Sequence, residues 1–208
     1  MKINSPKIKN YIEGKLLDST KDNDFSNKIY NNDIEDNIII SNITFDSSIF
    51  NNINFNNITL DNIDLVDVIF NNCDLSNQIF DSKLLCRVEF NNCKLVGTSF
   101  ASSNLKDVVF NDCNSKYVNL FGDKISNIKI IDSNFTSGRF NNCNIKNMLL
   151  DNNIFNKTEF ISTNLNDIDF SSCNIENIIF DTNSLKGIQI NNLQASDIVR
   201  LFEIKIKY

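Results

Sequence analysis

The chain has 208 residues, 41% of them apolar, with a net charge of −6, 17 Phe, 39 Asn, six Cys and neither His nor Trp. That apolar share suffices for a sizeable core, in one or two domains or in one elongated array. The acidic balance speaks against direct nucleic-acid binding, and the lack of His removes the usual imidazole base and metal ligand. No run of 18 apolar residues is present to span a membrane. The opening MKINSPKIKN has no apolar stretch of the kind a secretory signal carries. A cytoplasmic location with reduced cysteines is therefore expected.

In chain order, residues 1–20 mix Lys and Glu and are expected to form an N-terminal tail or cap. The segment Asp24–Tyr30 is expected to start the main body, residues 21–192; Tyr30 fits the register of that body and Glu35 does not. From Ile40 to Ile190 every fifth residue is bulky and apolar in 30 of 31 positions, Ser115 being the exception. Two residues before each lies a second, usually smaller class that includes Ile53, Val68, Cys73, Val88, Cys93, Thr98, Ser103, Val108 and Cys113. Polar residues, chiefly Asn, Asp, Ser and Lys, fill the rest.

A period of five fits neither a helix at 3.6 nor a strand at 2. It fits a chain that turns a corner every five residues, so that four sides close a square coil of twenty. Each side then points its large residue, and the small one two before it, at the axis, because residues two apart share a strand face. Residues twenty apart stack one coil above another. The motif FNNC recurs for this reason at Phe70 and Phe90, with FNDC at Phe110, while the copy at Phe140 falls across the square. The structural core is expected to hold Phe50, Phe70, Phe90 and Phe110 in one ladder and Phe80, Phe100, Phe140 and Phe160 in the opposite one, with Cys73, Cys93 and Cys113 as small inward residues. About eight coils at ~4.8 Å each give a rod on the order of 40 Å long.

Ser115 and the inward Asp123 are expected to mark a bulge or bend near mid-rod. Lys83, Gln78, Asn153 and Asn183 also fall on inward positions, where a buried unpaired polar group is costly. These side chains are expected to reach out to solvent or to find backbone partners. Cys86 lies on an outer position and is expected to be the one reactive thiol. Beyond Ile190 the period ends. Residues 193–208 read as a short helix, Ala195 to Phe202, with Ile198, Leu201 and Phe202 on one face, followed by the alternation Ile204, Ile206, Tyr208 of a strand. Two readings stand: a cap over the coil end, or a dimer contact formed by those six residues about a twofold axis. The dimer is favoured because the apolar face exceeds what a lone cap requires.

The units CDL (Cys73–Leu75), SNL (Ser103–Leu105), TNL (Thr163–Leu165) and CNI (Cys173–Ile175) resemble the A-[DN]-L-x-x unit of the pentapeptide repeat family. The resemblance covers Ile38 to Leu193 and implies an all-β solenoid, a right-handed quadrilateral β-helix. The closing segment is similar to that of the quinolone-resistance (Qnr) proteins of that family, matching at Gly187, Ile188, Ile190, Gln194, Ala195 and Leu201, with Glu203 where that family has Gly. This likeness implies a DNA mimic that binds DNA gyrase or topoisomerase IV and either shields it from fluoroquinolones or inhibits it, and it implies a homodimer. Several Qnr proteins carry loops projecting from the coil, and the unbroken repeat here has no room for a long one. The candidate acidic contact surface for such a partner is Asp61, Asp64, Asp67, Asp81, Asp107 and Asp167. Residues 41–190 carry 17 acidic and 11 basic groups, which accounts for the whole net charge. No cofactor, metal site or catalytic residue is expected. The alternative reading is a rod-shaped protein–protein interaction module without topoisomerase activity.

Overall fold

The computed structural model describes residues 2–32, 37–200, 202, 204 and 205. The chain winds into a four-sided β-solenoid of about eight turns with a short helix at its C-terminal end. The strands stack in parallel in chain order: β1 (Ile12–Glu13), β2 (Lys28–Asn31), β3 (Ile38–Asn51), β4 (Ile58–Asn71), β5 (Leu84–Asn91), β6 (Asn104–Asn111) and β7 (Lys124–Ile131). β7 then pairs with both β8 (Asn144–Ile145) and β9 (Met148–Asp151). A second sheet joins β10 (Glu159–Phe160) to β11 (Ile179–Phe180). From β3 onward pairing joins residues twenty apart, as in Phe50 with Phe70, Phe70 with Phe90 and Phe90 with Phe110.

The corner has a clear chemical cause. Two residues after most large residues the backbone adopts a left-handed conformation, as at Asn52, Asn62, Asp67, Asn72, Asn77, Asn92 and Asp107. Asn and Asp enter this region more readily than other side chains, because their short polar groups bond locally. Part of the large Asn content is thus a requirement of the turn. Gly97, at φ +70, occupies one such corner, and a Cβ there would lie 2.6 Å from Asn77 Oδ1. A second use of Asn runs along the outside. Asn51 donates to Asn31 at 2.8 Å, Asn71 to Asn51 at 2.8 Å and Asn91 to Asn71 at 3.0 Å, an amide ladder of the kind stacked strands favour.

The lumen is filled as the pattern requires. Phe50, Phe70, Phe80, Phe90, Phe100, Phe110, Phe140 and Phe160 are all fully buried, and Cys73, Cys93 and Cys113 nearly so. Successive rings of one ladder stack at 5.0, 5.2 and 5.1 Å from Phe50 to Phe110. Across the lumen Phe90 and Phe100 meet edge-on at 6.1 Å, an arrangement the ring quadrupoles favour. Each such burial is worth roughly 1.5–3 kcal/mol.

The small inward residues follow one hydrogen-bond rule. Most of those that carry a donor give it to the carbonyl of the large residue 23 positions earlier: Cys93 to Phe70, Thr98 to Leu75, Ser103 to Phe80, Thr158 to Phe135 and Thr163 to Phe140. Gln78 obeys it, donating to Phe55 O at 2.8 Å, and so does Asn153, donating to Ile130 O at 2.7 Å. Both therefore find the backbone partners expected of them. Lys83 instead reaches out to Asn62 at the surface. Asn183 is exposed, and the inward place passes to Ser184, which accepts from Thr163 N–H at 3.1 Å. This one-residue slip corrects the unbroken register. Its cause is local: Asp181 accepts from the Ser184 and Ser162 amides and pulls the turn inward.

At mid-rod the backbone passes Ser115 without a bulge, its N–H donating to Asn134 O at 2.8 Å and Asn114 pairing with both Lys94 and Asn134. The register shift lies instead between β6 and β7, where Leu105 faces Ile125 but Lys106 faces Asn127. Ser115 Oγ is buried without a partner.

Asp123 is fully buried. Its Oδ1 accepts from Ser103 N–H at 2.8 Å, as Asn153 Oδ1 accepts from Ser133 N–H at 2.9 Å, but its Oδ2 has no partner. Asn153 places a donor where Asp123 places that oxygen. Burial, aided by the charge of Asp81 and opposed by the Ser103 amide, pushes the Asp123 carboxyl up to about 8 from 3.8. The folded state thus holds a proton there that the unfolded chain releases near pH 4. Stability should fall as pH rises through the window from about 4 to about 8 and then level off. Urea midpoints measured from pH 4 to 9 should show this slope in the wild type and lose it in Asp123→Asn. That variant should be the more stable by on the order of 3 kcal/mol at pH 9.

Candidate interaction surface

The two ends of the rod are closed differently. At the start, α1 (Leu16–Asp22) buries Leu16 and Ser19, and Tyr30 Oη donates to Ser19 Oγ at 2.9 Å, tying the helix to the first coil. At the far end Gln194 is the plug. Its amide donates to the carbonyls of Phe170 at 2.8 Å and Cys173 at 2.7 Å, and its Oε1 accepts from Asn191 N–H at 2.8 Å. Gln194 immediately precedes α2 (Ala195–Arg200).

Of the six residues expected at a dimer contact, Ile198 is half-buried, Phe202 is 49% exposed and Ile204 is 56% exposed. Leu201, Ile206 and Tyr208 lie outside the described residues, as does Glu35. Ile204 itself is not in a strand. Leu193, which sequence reasoning left out, is the most exposed large apolar residue at this end, at 85%. The outward turn before Gln194 puts it there.

The six acidic residues do not form one open surface. Asp61 is exposed. Asp64 accepts from Leu84 N–H at 2.7 Å, and Asp81 from Ala101 N–H at 2.8 Å and Ser99 Oγ at 2.5 Å. Asp167 accepts from Asn166 at 2.5 Å. Asp67 and Asp107, although on outer positions, are buried. Asp67 takes both Nε and Nη2 of Arg87 at 2.5 Å, and Lys7 N–H at 2.7 Å. Asp107 accepts from Asn127 at 2.7 Å and Asn4 at 2.9 Å. Burial works against both charges, yet Arg87 and Lys7 around Asp67, and Asn4 and Asn127 around Asp107, hold both below the usual carboxylate value. Of these six, Asp61, Asp64, Asp81 and Asp167 remain at the surface, as do Asp112 and Asp132 on another column of the rod.

The profile of the pentapeptide repeat region matches residues 63–134, and that of eight copies of the pentapeptide repeat matches residues 39–77. Residues 39–134 are thus a pentapeptide-repeat region. Among solved structures it is similar to full-length QnrB1, a plasmid-mediated fluoroquinolone resistance protein, at 17% identity over 88% of this chain and 93% of that one, with a TM-score of 0.54. A trypsin-treated variant of QnrB1 gives 18% identity, 88% and 92% coverage and a TM-score of 0.51. HetL, a pentapeptide repeat protein involved in heterocyst differentiation regulation in the cyanobacterium Nostoc sp. strain PCC 7120, gives 12% identity, 86% and 95% coverage and a TM-score of 0.47. No curated protein matches the sequence. The two QnrB1 likenesses show the fold. No helix among the described residues is long and apolar enough to cross a membrane.

Within this pentapeptide-repeat rod the thiols divide sharply. Cys73, Cys93, Cys113, Cys143 and Cys173 are buried and free, while Cys86 is partly exposed with Arg87 Nη1 3.1 Å from its sulfur. Burial pushes Cys113 and Cys143 up to about 12. A thiol-exchange reagent should titrate one fast cysteine in the native protein and six in denaturant, and Cys86→Ser should abolish the fast phase. More than one fast thiol in the native protein would contradict this packing.

Proposed function

We propose that this protein is a Qnr-like DNA mimic that binds a type II topoisomerase, DNA gyrase or topoisomerase IV, and protects it from fluoroquinolones or inhibits it. The observation that carries this reading is a rod whose whole net negative charge lies on the coils, with Asp61, Asp64 and Asp81 toward one side. Whole-rod likeness to QnrB1, itself a fluoroquinolone resistance protein, supports it. Such a rod meets a cationic DNA-binding surface by shape and charge together. Duplex DNA would carry roughly 24 charges over 40 Å. The 17 carboxylates of residues 41–190 are fewer and partly neutralised, so shape carries more of the recognition. The protein acts in the cytoplasm, without catalysis. In a supercoiling assay with purified gyrase, micromolar protein should inhibit the enzyme or restore its activity in the presence of ciprofloxacin. An unchanged enzyme under both conditions would discard the gyrase reading.

A second reading, a binding rod for some other protein partner, is favoured by the way Arg87 breaks the Asp67–Asp107 column. In either case residues 193–208 join two copies. Leu193, Phe202 and Ile204 present apolar surface beyond the Gln194 plug, which supports a twofold contact there. Light scattering should give twice the chain mass, and Phe202→Ala combined with Ile204→Ala should halve it. An unchanged mass in that variant would remove the C-terminal contact.

A further inference from the structure

The first residues of the chain do not hang free. Ile3, Pro6 and Ile8 are half-buried, while Lys2, Asn4, Lys7 and Lys9 face outward. Asn4 donates through its side chain to Asp107, and Lys7 donates through its backbone to Asp67. Asp67 and Asp107 occupy the same corner two coils apart, since each coil advances twenty residues. Two coils cover about 10 Å of rod, and three residues of extended chain, Asn4 to Lys7, cover the same distance. The arm therefore runs along the rod, across the strands, with its donors in step with the coil spacing. Ile3 and Ser5 form one wall of a groove that Asn91, Val109, Asn111 and Ile131 also line.

The receiving groups are also held by the rod itself. Arg87 clamps Asp67 in a two-point pair, and Asn127 fixes Asp107. Neither contact uses a feature peculiar to this arm: one is a main-chain N–H, the other a primary amide. We infer that this corner is a docking rail for an extended polypeptide segment, filled in cis by residues 2–9, and that a segment of a partner protein can take the arm's place. The segment that fits has a donor side chain such as Asn, a backbone N–H three residues later, small residues between them and medium apolar residues on either side. It runs along the rod axis instead of adding a strand to a coil edge. This surface is independent of the topoisomerase reading and stands or falls without it.

The test uses full-length protein and the synthetic peptide MKINSPKIKN as the competing segment. Lys7→Pro removes the N–H given to Asp67, and Lys7→Gln makes the same change of charge while keeping that N–H. Asn4→Ala removes the other donor. In amide-exchange and heteronuclear NMR measurements, the residue-7 amide should be protected in the wild type and in Lys7→Gln. Residues 2–9 should become as mobile as the free peptide in Asn4→Ala/Lys7→Pro. The added peptide should then shift the Asp67, Arg87 and Asp107 signals of that double variant, binding it at least tenfold more tightly than the wild type. An arm already mobile in the wild type, or an arm still docked in the double variant, would overturn the inference. So would a released rail that leaves those three signals unmoved at millimolar peptide, or equal binding to both proteins.

Discussion

The whole architecture depends on the vertical stacking of each residue on its equivalent twenty positions away. A coil of this size encloses only four large side chains, too few to form a core alone. Stacking converts that shortage into continuous columns, in which Phe70 contacts Phe50 below and Phe90 above while touching Phe55 of another column edge-on. The same repetition closes the polar accounts. A carbonyl turned toward the lumen at one large residue meets a hydroxyl, thiol or amide from the next coil, so little is left unpaired. The two exceptions among the described residues, Ser115 and Asp123, sit within ten residues of each other at mid-rod. The rod tolerates them because complete coils lie on both sides.

The corner imposes the second constraint. A left-handed residue every five positions would be a costly demand on most sequences. Here Asn, Asp, Ser and Gly take most of these places, and Arg87, Tyr117 and Lys157 take others. Composition and topology are therefore two views of one requirement. The polar side chains that make the turn possible also form ladders on the outer corners, where Asn62 meets Asn42 and Asn92 meets Asn72.

Much of this was legible because the lumen imposes a strict period. Every large residue from Phe50 to Phe110 that the period assigns to the axis is buried. Even the polar intruders Gln78 and Asn153 behave as a buried amide must. What the period cannot report is contact between segments that do not share it. Nothing in MKINSPKIKN announces that Asn4 will find Asp107, more than a hundred residues away, so Asp67 and Asp107 read as open acidic groups when they are occupied. The slip at Ser184 escaped for a related reason: Asp181, two residues before the expected Asn183, bonds the following amides and redirects a turn whose spacing still looks regular. The Gln194 plug left only a faint signal, a long amide placed just after the period ends.

The unlike closures at the two ends have a consequence for solubility. A stack of parallel coils exposes, at each terminus, a template on which a further coil of the same kind could condense, and nothing in the repeat itself limits the number added. A helix laid across one terminus and an amide sealing the other offer no matching shapes, so head-to-tail growth into fibrils has no complementary pair of surfaces to start from. The stack of coils thereby remains a particle of finite length.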